Sequence, residues 1–168
     1  MDLLELRGTP GPAPSTRHLT FQTEDFAPFY EEAKPLIRMH WEEVAPHKDL
    51  CWLNPNLVFY YQAADKGILH IVTARDGKKL VGYVWMMLHP HVHYQHAALA
   101  REDIHFLHPD YRKGMNGINL FKATERIMKA KGAKIMVLGC KVEHDHGVLF
   151  ERMGYSALDV TYSKRLDT

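Results

Sequence analysis

The first half of the chain carries two helical patterns of apolar positions. Apolar residues recur at three- and four-residue spacing through residues 29–44, and polar residues at 23–25 supply a capped helix start. Pro35 lies inside this pattern, so we expect the helix to kink or to begin again there. Residues 54–55, an Asn followed by a Pro, predict the cap and first residue of a second helix, which Gly67 ends.

The middle of the chain is strand-like. Residues 68–75 are rich in branched side chains, residues 79–88 form a longer apolar run, and Asp76-Gly77 lies between them as a hairpin signal. Residues 97–107 predict a further strand after a histidine-rich segment. Together these segments predict an antiparallel meander.

The period changes again in the last third. Residues 117–130 form an amphipathic helical pattern, and residues 133–138 predict a short buried strand. A further helix is expected at 146–153, and alternation at 155–166 predicts a last strand. A strand, a helix and a second strand in succession require a crossover, so we expect a mixed, mostly antiparallel α/β (α+β) sheet flanked by helices.

The amino-terminal region differs in composition from the rest. Pro, Gly and Ser cluster at residues 8–16, which excludes a helix or a central strand there. Residues 1–19 are therefore either a mobile arm or a first strand followed by a connection, and the leucines near the start favour the strand. Residues 20–168 are expected to form one domain.

Composition narrows the classes of function. The 21 Lys and Arg residues nearly cancel the 20 Asp and Glu residues, giving a formal charge of +1, which argues against a generic nucleic-acid binder. Cys51 and Cys140 do not form a disulfide framework, which favours a reducing cytoplasm. Since no apolar run is long enough to span a bilayer, we expect a cytoplasmic protein without membrane contact.

The most informative segment for chemistry is residues 108–117, between a strand and a helix. Gly114 and Gly117 let a ligand approach the backbone closely, and unpaired amides at a helix start favour anions. Arg112 and Lys113 add positive charge. The segment predicts a phosphate or pyrophosphate site that is neither a Walker A loop nor a Rossmann fingerprint. The alternative is a helix-entry loop whose glycines serve only turn geometry.

These residues also carry a family resemblance. Residues 103–114 resemble the strand-and-loop signature of the GNAT N-acetyltransferase family, and residues 149–155 with 162–166 resemble its carboxy-terminal pattern. The layout from about residue 20 to 166 is similar as well. Residues 41–43, 80–83 and 93–94 further resemble the phage and prophage branch of the family.

The resemblance implies a GNAT fold with a V-shaped split between the strand ending at Leu107 and the strand at 133–138. Acetyl-CoA, as co-substrate, would lie in that split, and a primary amine would attack it directly in a ternary complex. The implied donor-binding residues are Leu107, His108, Arg112, Lys113, Gly114, Met115, Asn116 and Gly117. The acceptor would be a small molecule, a protein or a modified nucleotide. A homodimer is expected, in the host cytoplasm if the protein is phage-encoded.

Two positions depart from the family pattern. The first glycine of the loop, Gly114, comes one place early, and Phe150 stands where the family often has a tyrosine acid. A phenyl ring cannot donate a proton. A second hypothesis therefore stays open, in which the chain is a catalytically weak GNAT-fold CoA-binding protein that acts through a protein interaction.

Candidates for proton transfer lie on the strand that enters the loop. By period two, Asp103 and His105 share one face of this strand and Glu102 lies on the other. Tyr155 is a further catalytic candidate because it is close in sequence to Phe150. The alternative is that the strand residues are only solvated or paired with one another.

Other histidines and acids suggest an acceptor site and a rival site. His40 and Glu43 on the first helix are candidates to line the acceptor site, with an ordinary helix surface as the alternative. Alternate residues from His89 to His93 would put three imidazoles on one strand face, a known zinc spacing. Pro90 disturbs that strand, and nothing in the sequence shows that a further ligand converges on it, so we predict no metal.

Overall fold

The computed structural model describes residues 18–167 as an α+β fold built on one sheet. Residues 1–17, where a first strand is expected, lie outside the described part. Four helices and five strands follow in the order β1 (Thr20–Glu24), α1 (Phe26–Val44), α2 (Leu57–Asp65), β2 (Leu69–Asp76), β3 (Lys79–Pro90), β4 (Ala98–Leu107), α3 (Asn116–Ala130), β5 (Ile135–Val137) and α4 (Gly147–Arg152). Short 3₁₀ turns cover Pro109–Tyr111 and Val142–His144.

The sheet has the order β1-β2-β3-β4-β5. The first four strands pair antiparallel with their neighbours, and Gly77 has φ +58° in the tight turn between β2 and β3. Strand β5 pairs parallel to β4, with α3 as the crossover between them. The predicted meander and the predicted mixed sheet are confirmed.

Helices cover both faces of the sheet. On one face, α1 and α2 pack against side chains that include Tyr83, Trp85 and Phe106. On the other face, α3 and α4 pack against a second cluster that includes Val84 and Met86. Alternate side chains of β3 therefore pack on opposite faces of the sheet. Because helices cover both faces, the centre of this strand is apolar at every position.

Two helix predictions need correction. Helix α1 runs as one element through Pro35, because its core face is buried on both sides of the proline and one lost amide does not outweigh that packing. Helix α2 begins at Leu57 rather than at 54–55, and the side chain of Asn56 accepts a hydrogen bond from the amide of Phe59 at 3.1 Å. The end predicted at Gly67, where φ is +66°, is confirmed within two residues.

The strand predictions fail at both ends of the domain. Strand β1 has no counterpart in the sequence prediction, and the strand predicted at 133–138 is only three residues long. The predicted strand at 155–166 is absent, since the structure assigns no strand to that segment. Its alternating Leu158, Val160 and Tyr162 are 69–89% exposed, so the pattern has no packing partner among the described residues.

Candidate active site

The central feature of the site is the place where β4 and β5 separate. The two strands pair only from Leu99 to Arg101 on β4, opposite Ile135–Val137. Strand β4 then continues alone to Leu107 along this edge. A cavity of about 760 Å³ opens at the gap, with walls from α1, β4, α3 and the segment after β5.

A bulge in β4 decides which side chains enter this cavity. The β3–β4 register shifts so that Trp85 pairs with Ile104 while Met86 pairs with Glu102, which leaves Asp103 as the extra residue. Glu102 and His105 consequently lie together, with Oε1 and Nδ1 2.9 Å apart. The predicted facing, with Asp103 beside His105 and Glu102 opposite, is therefore wrong, because period two does not survive the bulge.

Glu102 holds His105 and also reaches across the gap. Its Oε1 accepts from Nδ1 of His105, and its Oε2 accepts from the amide of Gly139 at 2.7 Å, just beyond β5. The two side chains are only 9% and 18% exposed. Because a carboxylate only accepts, the ring proton lies on Nδ1, and no described residue bonds Nε2. His105 lines the cavity, and its Nε2 has no hydrogen-bond partner among the described residues.

Asp103 turns toward α2. Its Oδ2 accepts a hydrogen bond from the hydroxyl of Tyr60 at 2.8 Å, and both residues line the cavity. Burial raises the pKa of Asp103, against the opposing effect of the Tyr60 hydrogen bond.

Helix α4 brings one more imidazole to the site. The ring of His146 lies 5.9 Å from that of His105, and burial, followed by the electrostatic influence of the neighbouring His105 ring, lowers the pKa of His146. Phe150 is buried, with its ring 5.3 Å from that of Phe121, and cannot exchange protons. His146 carries no local sequence signal for proton transfer, because only the folded position of α4 brings it near His105.

Helix α1 closes another side of the cavity. The ring of His40 stacks on Phe106 at 5.2 Å, and its Nδ1 lies 3.1 Å from the hydroxyl of Tyr83. Burial lowers the pKa of His40 to about 4, so the ring is neutral at neutral pH. Both predicted acceptor-site residues, His40 and Glu43, line the cavity.

Arg112 connects this helix to the loop after β4. Its guanidinium donates to both carboxylate oxygens of Glu43 at 2.7 and 2.6 Å, which lowers the pKa of that carboxyl. Its Nε donates to the carbonyl of Leu107 at 2.7 Å. The positive charge that the sequence predicted at Arg112 is thus paired with the carboxylate of Glu43 on α1.

The loop between β4 and α3 offers a row of free donors. No described residue accepts a hydrogen bond from the amides of residues 113–118, which lie at the positive end of α3. Gly117 lines the cavity, and a Cβ added there would meet no protein atom within 4 Å. Packing within the chain therefore does not require glycine at 117, and the missing Cβ leaves room for close approach of a ligand. These features fit a diphosphate.

The structure brings together only some of the predicted residues. Among the predicted donor-binding residues, Leu107, Arg112 and Gly117 line the cavity, while His108 and residues 113–116 lie on the loop outside its lining. Tyr155 does not line it either, since its hydroxyl donates to Glu125 on α3 at 2.7 Å.

The histidine-rich segment does not form the predicted strand face. Strand β3 ends at Pro90, and the amide of Tyr94 donates to the carbonyl of His91 in a turn. Within residues 18–167, no group of three or more His, Cys, Asp or Glu side chains is arranged to hold a metal ion. None of the helices in that range has the length and apolar character needed to cross a membrane.

The fold and the position of the cavity define a class: the chain has the GNAT acetyltransferase fold. It superposes on an aminoglycoside acetyltransferase from an uncultured soil metagenomic sample with a TM-score of 0.68 and 14% identity, covering 89% of this chain and 97% of that one. For a ribosomal-protein-alanine N-acetyltransferase from Brucella melitensis biovar Abortus 2308, the TM-score is 0.66 and the identity 17%, with 89% and 99% covered.

A third similar structure, of a predicted acetyltransferase from Clostridium acetobutylicum, was determined with acetyl-CoA. It has a TM-score of 0.63 and 9% identity over 89% of this chain and 97% of that one. No family model and no curated protein sequence matches the chain. These structures give no support to the phage branch or to the homodimer, and both stay predictions from the sequence.

Proposed function

We propose that the protein is an acetyl-CoA-dependent N-acetyltransferase that acts on a primary amine. The observation that carries this proposal is the cavity at the separation of β4 and β5. Gly117, whose amide is one of the free donors of the loop, borders one part of it, and the Glu102–His105 pair borders another. A site for an anion and a site for proton transfer therefore open into one space.

The loop residues would hold the donor. The amides of 113–118 would bind the pyrophosphate, with Lys113 adding charge and Gly117 leaving room for close approach. When bound, acetyl-CoA supplies the acetyl group: the amine nitrogen forms a bond to the carbonyl carbon, the C–S bond breaks, and sulfur keeps the electron pair.

His105 is the proposed general base. Its free Nε2 would take the proton from the acceptor ammonium, and Glu102 would stabilise the imidazolium through the bond to Nδ1. The nitrogen loses a second proton as the amide forms; of these two protons, one would go to the departing sulfur, through His105 or water, and the other would leave to solvent. Asp103 remains a second candidate base, because burial raises its pKa toward the working range. Tyr155 has no proposed role in the cavity.

A second candidate function has one specific observation in its favour. Phe150 is buried and apolar, so the helix that follows the second 3₁₀ turn offers no hydroxyl for the leaving sulfur. A GNAT-fold protein that binds CoA without turnover would need no such group. Free-thiol release with a panel of amines separates the two candidates, since binding without release on any amine supports the binding protein.

Donor binding is tested at Gly117. Titration calorimetry with acetyl-CoA is expected to show binding to the wild type and at least about a tenfold weaker affinity for Gly117→Trp, equivalent to about 1.4 kcal/mol. Ala130→Trp, which adds the same side chain at the exposed far end of α3, should bind as the wild type does. Unchanged affinity in Gly117→Trp would remove the loop from the donor site.

A further inference from the structure

We propose that the acceptor carries a single ammonium group on an apolar, preferably aromatic body, held between Asp103 and an aromatic wall. We define that wall as Trp52, Tyr60 and Trp85, all of which line the cavity. This inference rests on the proposed function and adds the substrate class to it.

The charges of the cavity argue against a polycationic acceptor. Its acidic lining residues are Glu43, Glu102 and Asp103, and its Arg and Lys residues are Arg101, Arg112 and Lys141, so their formal charges cancel. Each ammonium group of a polyamine or an aminoglycoside would need a carboxylate that is not already paired. A lining with no net negative charge does not provide several.

The hydrogen bonds of these carboxylates limit the number of ammonium groups that the cavity can bind to one. Arg112 occupies both oxygens of Glu43, while His105 and the amide of Gly139 occupy those of Glu102. Asp103 uses only Oδ2, toward Tyr60, and no described residue bonds its Oδ1. The cavity thus keeps one carboxylate oxygen ready for one ammonium group.

The wall next to Asp103 suits an aromatic body. The rings of Tyr60 and Trp85 lie 4.9 Å apart in an edge-to-face contact, which fixes the inner part of the wall. The outer part is open, since Trp52 is 68% exposed at the cavity mouth. Trp41 steadies this segment, because its Nε1 donates to the carbonyl of Cys51 at 2.9 Å.

Exposed apolar side chains continue from the wall along the surface. Leu53, Val58 and Phe59 are 39%, 67% and 51% exposed on the same segment. A large exposed apolar surface beside a cavity is typical of a binding site for an apolar ligand. The free oxygen of Asp103 and this surface together select a monoamine with an apolar group.

The test compares four amines with the full chain and acetyl-CoA. Phenethylamine and a phenylalanine-initiated dipeptide amide represent the small-molecule and peptide sources of this chemistry, while spermine and kanamycin represent polycations. Thiol release should give kcat/KM values at least about tenfold higher for one or both aromatic amines than for either polycation. A clear preference between the aromatic amines identifies the source. Higher kcat/KM for kanamycin or spermine would overturn the inference.

Variants and a binding measurement complete the test. Trp52→Ala should raise KM for the aromatic amines about tenfold. The matched control, Tyr162→Ala, removes an 89% exposed aromatic ring outside the cavity lining and should leave KM unchanged. Equal KM values for the Trp52→Ala variant and the wild type would also refute the aromatic wall.

Calorimetry with phenethylamine keeps this inference separate from the proposed function. If no amine releases thiol, the proposed function fails, but binding of phenethylamine that is lost in Trp52→Ala and in Asp103→Asn would still support the acceptor site. Absence of both turnover and amine binding would overturn both proposals.

Discussion

The sharpest test of the proposed chemistry is Glu102→Gln. In the wild type, Oε1 of Glu102 accepts from Nδ1 of His105 and Oε2 accepts from the amide of Gly139. A glutamine side chain has only one oxygen to serve both donors. If this oxygen stays on Gly139, the NH₂ group faces Nδ1, which must then become the acceptor. The ring proton moves to Nε2, and the proposed base loses its free lone pair.

The alternative placement of the glutamine gives the magnitude. With its oxygen on Nδ1, the NH₂ group meets the amide of Gly139; that amide, at an exposed position, can bond to water, but the NH₂ donor of the nearly buried side chain at 102 is left unpaired. An unsatisfied buried donor costs about 1–3 kcal/mol. Since about 1.4 kcal/mol corresponds to a factor of ten, the productive tautomer of His105 should fall roughly tenfold to a hundredfold. We expect kcat to fall by the same factor.

Thiol release gives kcat and KM, calorimetry gives the acetyl-CoA affinity, and ¹⁵N NMR of the imidazole gives the tautomer of His105. We expect kcat to fall and the ring proton to shift to Nε2, with acetyl-CoA affinity retained. Glu151→Gln on the exposed face of α4 is the control and should change none of these. A folded Glu102→Gln variant with kcat within about twofold of the wild type would refute the role of the pair. Equal losses of kcat and acetyl-CoA affinity would indicate that Glu102 acts mainly by holding β4 to the segment after β5 through Gly139.

Two further predictions concern stability. The folded pKa of His40, about 4, lies below its usual 6.5, so the unfolded chain binds more protons between these values and stability is lost as pH falls from 6.5 to 4. The free energy of unfolding lost in this way approaches roughly 3 kcal/mol. Urea unfolding at pH 4.5 and 7 should therefore show a much smaller pH dependence of stability for His40→Gln than for the wild type, whereas the control His96→Gln, at an exposed position, should keep the wild-type dependence. An unchanged pH dependence in His40→Gln would contradict the assignment of this effect to His40. Arg112→Lys loses the paired hydrogen bonds to Glu43 and the bond to Leu107, so the unfolding free energy should fall by about 1 kcal/mol. Arg38→Lys, in an exposed pair with Glu42, should cost less than about 0.5 kcal/mol, and equal costs for both variants would show that the Arg112 contacts contribute nothing special.

Local sequence signals predicted the centre of the fold well. The Asp76-Gly77 turn and the branched runs on either side of it specify a hairpin without help from the rest of the chain. The segment at 155–166 has an equally clear alternation but remains exposed, because a strand also needs a neighbouring edge and packing against one face. Local pattern alone does not supply either.

The site was predictable only in part, for a related reason. The loop glycines and the strand before them lie next to one another in sequence, so the proposed anion site could be inferred from residues 108–117 alone. The pairing of Glu102 with His105 depends on a bulge opposite Trp85 and Met86, and no residue of β4 signals that bulge by its type. The approach of His146 depends likewise on where α4 packs.

The position of Arg112 has a consequence for enzyme engineering. One guanidinium braces the end of β4 through Leu107 and the last turn of α1 through Glu43, so a single side chain mechanically joins the two halves of the cleft. By thermodynamic reciprocity, if a ligand in one half of the cleft changes the affinity of the other half for a second ligand, the second ligand changes the affinity for the first by the same factor. Libraries that diversify α1 to alter the proposed acceptor site should therefore be screened for acetyl-CoA affinity as well, since replacing Glu43 also removes a partner of Arg112 on the proposed donor loop.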